Sequence, residues 1–193
     1  MSLNKQAKLL TPAQQRATLS HLTTTRYPIR NKVIFLLSCK AGLRAKEIAL
    51  LSWAMLTDAE GRLGDTIALV NRASKGKNGG RAIPLNTELK AALAELGALE
   101  GMRGPVIRSE RKGPTNAAVI ANMMSAWYKV MGFAGCSSHS GRRTFITGTA
   151  KKVAQLGLSL KDVQMLAGHS SLATTQRYIE GDTDGQKKLV NLI

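Results

Sequence analysis

Apolar residues recur at helical spacing along most of this chain and alternate along one short stretch, so the pattern predicts a mainly helical protein with one small sheet. Thr11 is a good N-cap, with Pro12 at the first helical position and Gln14 placed to close a capping box. A second helix begins at Pro28, runs through the apolar stretch Val33 to Leu37 and stops near Gly42. A short third helix carries Arg44, Glu47 and Ile48, and Trp53 leads out of it. From Met55 to Leu85 the character changes. Asp58-Ala59-Glu60-Gly61 and Gly76 to Gly80 are turn chemistry, while Thr66 to Val70 and Arg81 to Pro84 read as strands of an antiparallel sheet of two or three strands. Helical spacing returns behind Asn86 with Leu89, Ala92, Leu93 and Leu96. It continues after Pro114 and Thr115, with Val119, Ile120, Met123, Met124, Trp127 and Val130 expected on the inner side. Further helices are expected over Ser140 to Gln155, from Ser159 and Asp162 to about Leu166, and from Ser171 or Leu172 through Tyr178. Residues 187–193 could add a last turn or two. No linker interrupts the pattern, so residues 1–193 read as one domain with a core over about 10–180 and a tail over 181–193.

With 193 residues and 44% hydrophobic content the chain has enough apolar surface for a core. The charge is more telling: 28 Lys and Arg against 12 Asp and Glu give +16, which points to a polyanionic partner. Residues 1–57 hold nine basic side chains and one acidic, and 101–161 hold ten and one, whereas 58–100 are balanced and 162–193 slightly acidic. Two basic segments are thus expected to converge on one face. Eight aromatic residues are too few for a platform that stacks unpaired bases, so double-stranded nucleic acid is the expected partner. No apolar run approaches a membrane span, and the opening residues lack the apolar core of a signal peptide, which together predict a cytoplasmic protein. Cys39 and Cys136 form no paired ligand motif, and no His, Cys, Asp and Glu cluster has metal-ligand spacing.

The densest polar cluster is Ser138-His139-Ser140-Gly141-Arg142-Arg143-Thr144, where His139 and Arg142 share a helix face and could grip one anion. Taken alone it is also an ordinary basic helix start. Arg44 and Glu47 have the same spacing, which taken alone is a helix salt bridge, and Gly168-His169 taken alone is a helix cap. In order along the chain they are far more specific. Gly-Leu-Arg-x-x-Glu-Ile (42–48), a hairpin lysine before Ile-Pro-Leu (83–85), His-x-x-Arg-x-Thr-Phe (139–145), Leu-x-Gly-His-Ser-Ser (166–171) and Thr-Thr-x-x-Tyr (174–178) follow one another. This sequence of motifs, spanning Leu10 to Tyr178, resembles the tyrosine recombinases of the phage integrase family.

The resemblance implies the catalytic-domain fold of that family and DNA strand breakage and rejoining through a 3′-phosphotyrosyl intermediate, without metal, nucleotide or other cofactor. Tyr178 matches the nucleophile, and because a free phenol has a pKa near 10 its attack needs a base or neighbouring cations. Arg44 and Arg142 match the arginines that hold the non-bridging phosphate oxygens, a task suited to a permanently charged fork. His139 and His169 match the positions that contact the phosphate and assist proton transfer. Lys75 matches the hairpin lysine that protonates the leaving 5′-oxygen, with Lys77 its competitor in a glycine-rich loop of uncertain register. Glu47 matches the acid that orients the first arginine, while Lys46, Lys77, Arg81 and Arg143 are the expected contacts to the DNA backbone. Strand exchange needs two duplexes, so a homo-oligomer, a tetramer on DNA, is expected, with the tail over 181–193 docking on a neighbour.

Two departures from the family pattern stand out. Gly141 occupies a position that is commonly Leu, which predicts looser helix packing. Only about ten residues precede the first helix, so the chain is either a short member lacking the N-terminal DNA-clamping domain, like the recombinases that invert fimbrial promoter switches, or a piece of a longer protein. His21 is expected in solvent, the Met123, Met124 and Trp127 stripe in the core, and Tyr27 and Tyr128 outside the chemistry. The competing readings are an accessory DNA-binding protein that does not recombine and a DNA-relaxing enzyme of the type IB topoisomerase class.

Overall fold

In the computed structural model, residues 6–70, 80–178 and 190–191 are described. Helix α1 (Pro12–Thr23) starts at the expected box: Gln14 N–H donates to Thr11 Oγ1 at 3.1 Å and Thr11 N–H donates to Gln14 Oε1 at 3.0 Å. Helix α2 (Pro28–Ala41) is buried almost all round, with Val33 to Leu37 at no more than 1% exposure, which makes it the central rod of the domain. It stops because Gly42 turns left-handed at φ +65°, where a Cβ would collide with the ring of Phe145 at 2.4 Å. Helix α3 (Ala45–Leu50) and a 3-10 turn (Trp53–Met55) follow. The sheet has two strands among the described residues, β1 (Thr66–Leu69) antiparallel to β2 (Arg81–Pro84), with Leu69 opposite Arg81.

Asn86 caps α4 (Thr87–Glu100), which buries Leu89, Ala92, Leu93 and Leu96 as expected. Asn116 caps α5 (Ala117–Val130). The inner stripe of α5 is Ile120, Met124, Trp127 and Tyr128; Val119 and Val130, expected inside, are 44% and 73% exposed. They lie off the i, i+4, i+7, i+8 stripe, which Tyr128 completes instead. Helix α6 (Ser140–Lys152) is shorter than expected because its end tightens into a 3-10 turn (Val153–Leu156) before the left-handed Gly157. Helix α7 (Leu160–Ala167) begins with the expected Ser159 and Asp162 box, and α8 (Leu172–Gln176) is capped by Ser171. Tyr178 lies in the turn beyond α8 and not within the helix, since α8 ends two residues earlier. The expected last turn over 187–193 falls almost wholly outside the described residues.

Two apolar clusters result. The larger gathers α1 to α5 and the sheet around α2, including Phe35, Trp53 and Leu93. The smaller, Ile146, Ala150, Val153, Val163 and Ala167, joins α6 to α7 and supports Phe145, Leu160 and Tyr178. Helix α6 backs directly onto α2 at Gly141, where a Cβ would sit 2.5 Å from Ser38 Oγ and 2.9 Å from Cys39 Sγ. Glycine there permits a closer approach, so the expected loosening is replaced by tight packing. Among the described residues no helix is long and apolar enough to cross a membrane.

Candidate active site

The site is assembled by two sharp chain reversals and one helix start. Gly42 ends α2 and delivers Arg44 to the head of α3; Gly168, left-handed at φ +62°, ends α7 and delivers His169. His139 and Arg142 open α6. Residues Arg44, His139, Arg142, His169 and Tyr178, spread over 134 positions of sequence, line one cleft of about 830 Å³.

Glu47 is the anchor beneath these cations. It is 1% exposed and takes the N–H of Arg44 at 2.8 Å and the Arg44 guanidinium at 3.0 Å. Arg81 reaches it with a two-pronged pair at 2.9 and 3.1 Å, and Arg142 Nη1 lies 3.8 Å away. Burial pushes the Glu47 carboxyl upward, but Arg81 and Arg44 outweigh it and hold the group below the usual carboxylate range. One buried negative charge is therefore shared by three guanidiniums, leaving the cleft with a net positive field.

Arg142 is fixed by main-chain carbonyls. Its Nη1 donates to Gly42 O at 2.5 Å and its Nη2 to Ala167 O at 2.7 Å, tying the end of α2 to the end of α7. With its side chain only 4% exposed, burial and the nearby Arg44 pull its pKa down to about 10, which leaves it charged at neutral pH. Arg44 is more open, at 28% exposure, and so better placed to meet an incoming anion.

His169 and Tyr178 form a stacked pair with ring centroids 5.4 Å apart at 21°. Gln164 holds the histidine backbone in both directions: its carbonyl accepts from His169 N–H at 3.1 Å and its Nε2 donates to His169 O at 2.9 Å. His169 Nδ1 lies 3.0 Å from the hydroxyl of Thr175. Thr147 Oγ1, on α6, donates to the carbonyl of Tyr178 at 3.2 Å. Burial together with Arg142, Arg44 and Arg81 lowers the His169 pKa to about 4, so its ring is neutral at neutral pH. His139 is exposed at the head of α6.

One sequence expectation changes at the site. Arg81, expected on DNA, turns inward with 10% exposure and spends its fork on Glu47. It also packs on Gly168, where a Cβ would lie 2.5 Å from its Nη1. Period-two alternation places Arg81 on the same face as the buried Ile83, a signal that was present in the sequence. Arg143, also expected on DNA, lines the cleft while its Nη1 donates to Ala7 O at 2.6 Å. Lys46 stands exposed on α3, and Lys75 and Lys77 lie outside the described residues. Thr147, Gln164 and the Gln6 to Lys8 segment were not singled out by the sequence, because polar groups that hold a backbone carry no spacing of their own; Thr175 stood in the Thr-Thr-x-x-Tyr motif with no role assigned. Tyr27 stacks under Arg30 at 4.2 Å and Tyr128 is fully buried, so neither reaches the cleft. Among the described residues no group of three or more His, Cys, Asp or Glu could hold a metal ion.

The model of the phage integrase family matches residues 8–184. The chain is 30% identical over 159 residues to tyrosine recombinase XerC of Brucella suis biovar 1 (strain 1330), covering 80% of this chain and 47% of that protein. It thus spans about half the length of the relatives it matches. In three dimensions it is similar to the XerA recombinase crystal structure, with a TM-score of 0.74, 19% identity, and coverage of 95% of this chain and 64% of that one. It is also similar to the Tn1549 transposon integrase in complex with transposon right end DNA, with a TM-score of 0.67, 22% identity, and coverage of 94% and 64%. Those likenesses establish the fold as that of tyrosine recombinase catalytic domains. With the family model matched over nearly the whole chain, this protein belongs to the phage integrase family.

Proposed function

We propose that this chain is a site-specific DNA recombinase that cleaves and rejoins double-stranded DNA through a 3′-phosphotyrosyl intermediate, in integration, excision or inversion. The observation that carries the proposal is the convergence of Arg44, His139, Arg142, His169 and Tyr178 in one cationic cleft. The relatives are tyrosine recombinases, which supports recombination over relaxation or a non-catalytic role. Several similar structures hold DNA, among them the Tn1549 integrase and a XerH recombinase bound to its difH substrate, which supports DNA as the partner.

The chemistry assigned to the residues follows from their environment. Tyr178 attacks the scissile phosphorus, and the bond to the 5′-oxygen of the next nucleotide breaks. Arg44 and Arg142 take the non-bridging oxygens and offset the charge that grows on them in the transition state. His139 and His169 complete the shell around the phosphate. Lys75, or Lys77, delivers the proton to the leaving 5′-oxygen, and Glu47 holds Arg44. Lys46, with the basic side chains along the cleft, grips the flanking backbone. The working unit is a tetramer bridging two duplexes in the cytoplasm, associated with the nucleoid when bound to DNA, with residues 181–193 docking onto the neighbour.

Incubation with a nicked suicide duplex tests this reading. The short 5′-hydroxyl fragment between the scissile phosphate and the nick diffuses away after cleavage, so rejoining fails and a covalent protein–DNA adduct accumulates. We expect an adduct with the wild-type chain and none with Tyr178→Phe; an adduct of unchanged yield in that variant refutes the nucleophile assignment.

A further inference from the structure

Thr175 has no exposed surface, and its hydroxyl touches one hydrogen-bonding group among the described residues, Nδ1 of His169 at 3.0 Å. A buried hydroxyl that only accepted a bond would leave its own proton unsatisfied, at a cost of about 1–3 kcal/mol. Donation to Nδ1 removes that cost. A neutral imidazole that accepts at Nδ1 carries its proton on Nε2. Nε2 has no hydrogen-bond partner among the described residues, while His169 lines the cleft.

We infer that Thr175 is a positioning residue that fixes His169 as the Nε2–H tautomer, so that His169 meets the DNA phosphate as a neutral hydrogen-bond donor. This rests on the recombinase reading and assigns the manner in which one of its histidines acts. The ring's other restraints agree: Tyr178 stacks on one side, and Gln164 pins the backbone. The charged groups that act on the ring are Arg142 of α6, Arg44 and Glu47 at α3, and Arg81 of β2. Three cations against one anion oppose an imidazolium, in keeping with the lowered pKa of about 4. A donor of this kind needs no proton transfer of its own and remains in the same state through the neutral range. It also separates the two histidines: His139 is exposed at the head of α6, whereas His169 is partly buried and stacked on Tyr178.

The test is a long-range proton–nitrogen NMR correlation on the full DNA-free chain at pH 7, combined with adduct formation on the nicked duplex. The proposal requires His169 to show a protonated Nε2 and an unprotonated Nδ1. Thr175→Val keeps the shape but removes the donor; it should move the ring toward the other tautomer and slow adduct formation by about 10- to 100-fold. Half-saturating DNA concentration should change little, and Thr175→Ser should recover most of the rate. A proton on Nδ1 in the wild-type chain overturns the proposal, as does a Thr175→Val variant with unchanged tautomer and rate. A wild-type chain that forms no adduct would refute the recombinase reading instead, while the tautomer still decides the role of Thr175.

Discussion

At the scale of single residues, Glu47 shows how much of this site rests on one buried charge. An isolated carboxylate would not stay ionised at 1% exposure; it does so here because Arg44 and Arg81 bond it directly. Removing one partner of such a set is costly because the remaining charge stays buried. We expect Arg81→Ala to destabilise the domain by about 3 kcal/mol in urea unfolding at pH 7. The effect has a pH signature. The folded-state pKa of Glu47 is depressed, so its contribution is full above the ordinary carboxylate range and is lost as pH falls through the lowered value. The variant should therefore differ most from wild type near neutrality and converge on it in acid. An unchanged urea midpoint at pH 7 would show that Arg81 does not anchor Glu47.

The motif positions were legible in the sequence because each has a distinctive residue type at a fixed step from another, as with Arg44 and Glu47. Their partners were not. That Arg142 binds Gly42 O and Ala167 O depends on two carbonyls exposed by helix ends 100 and 25 positions away, and a carbonyl has no sequence identity.

At the scale of elements, α6 is the piece that joins the two apolar clusters and carries His139 and Arg142. Its seat against α2 depends on the missing side chain at Gly141. Ser38 Oγ, 2.5 Å from where a Cβ on that residue would sit, is itself buried and has no hydrogen-bond partner among the described residues. We expect Gly141→Leu, although it restores a residue common in the family, to lower stability by about 1–3 kcal/mol through overpacking. A thermal midpoint equal to wild type would show that α2 and α6 separate freely. Helix starts and stops were largely readable, since Thr11 with Gln14, Asn86, Ser159 with Asp162, and Gly42 act on their own neighbours. The exposed Val119 and Val130 and the 3-10 end of α6 were not, because hydrophobicity alone does not say which side of a helix finds a neighbour.

At the scale of the whole molecule, the site sits between cores of unequal size. Arg44 stands on the large cluster built around α2, whereas Tyr178 and His169 are carried by α7 and α8, which rest chiefly on the small cluster shared with α6, five buried residues among those described. Few buried contacts mean a low free energy of local opening. Amide exchange should therefore be faster in α7 and α8 than in α2 by orders of magnitude, under conditions where the protein stays folded. Equal protection in both regions would show a single cooperative unit. Under the proposed recombinase reading, placing Tyr178 on the more weakly held part suits a nucleophile that approaches a phosphate and then moves off with the strand attached.

The chain's own sequence determined the helices, the hairpin, the basic character and the identity of the residues that could hold a phosphate, because caps, periodicity and side-chain chemistry act over a few positions. The tertiary structure decided what those residues do to one another. It turned Arg81 inward onto Glu47, spent Arg142 on two distant carbonyls, made Gly141 a close contact and set Thr175 against His169. All but the last of these pairings join segments that only packing brings together, and burial then makes each buried polar group depend on the partner it finds there.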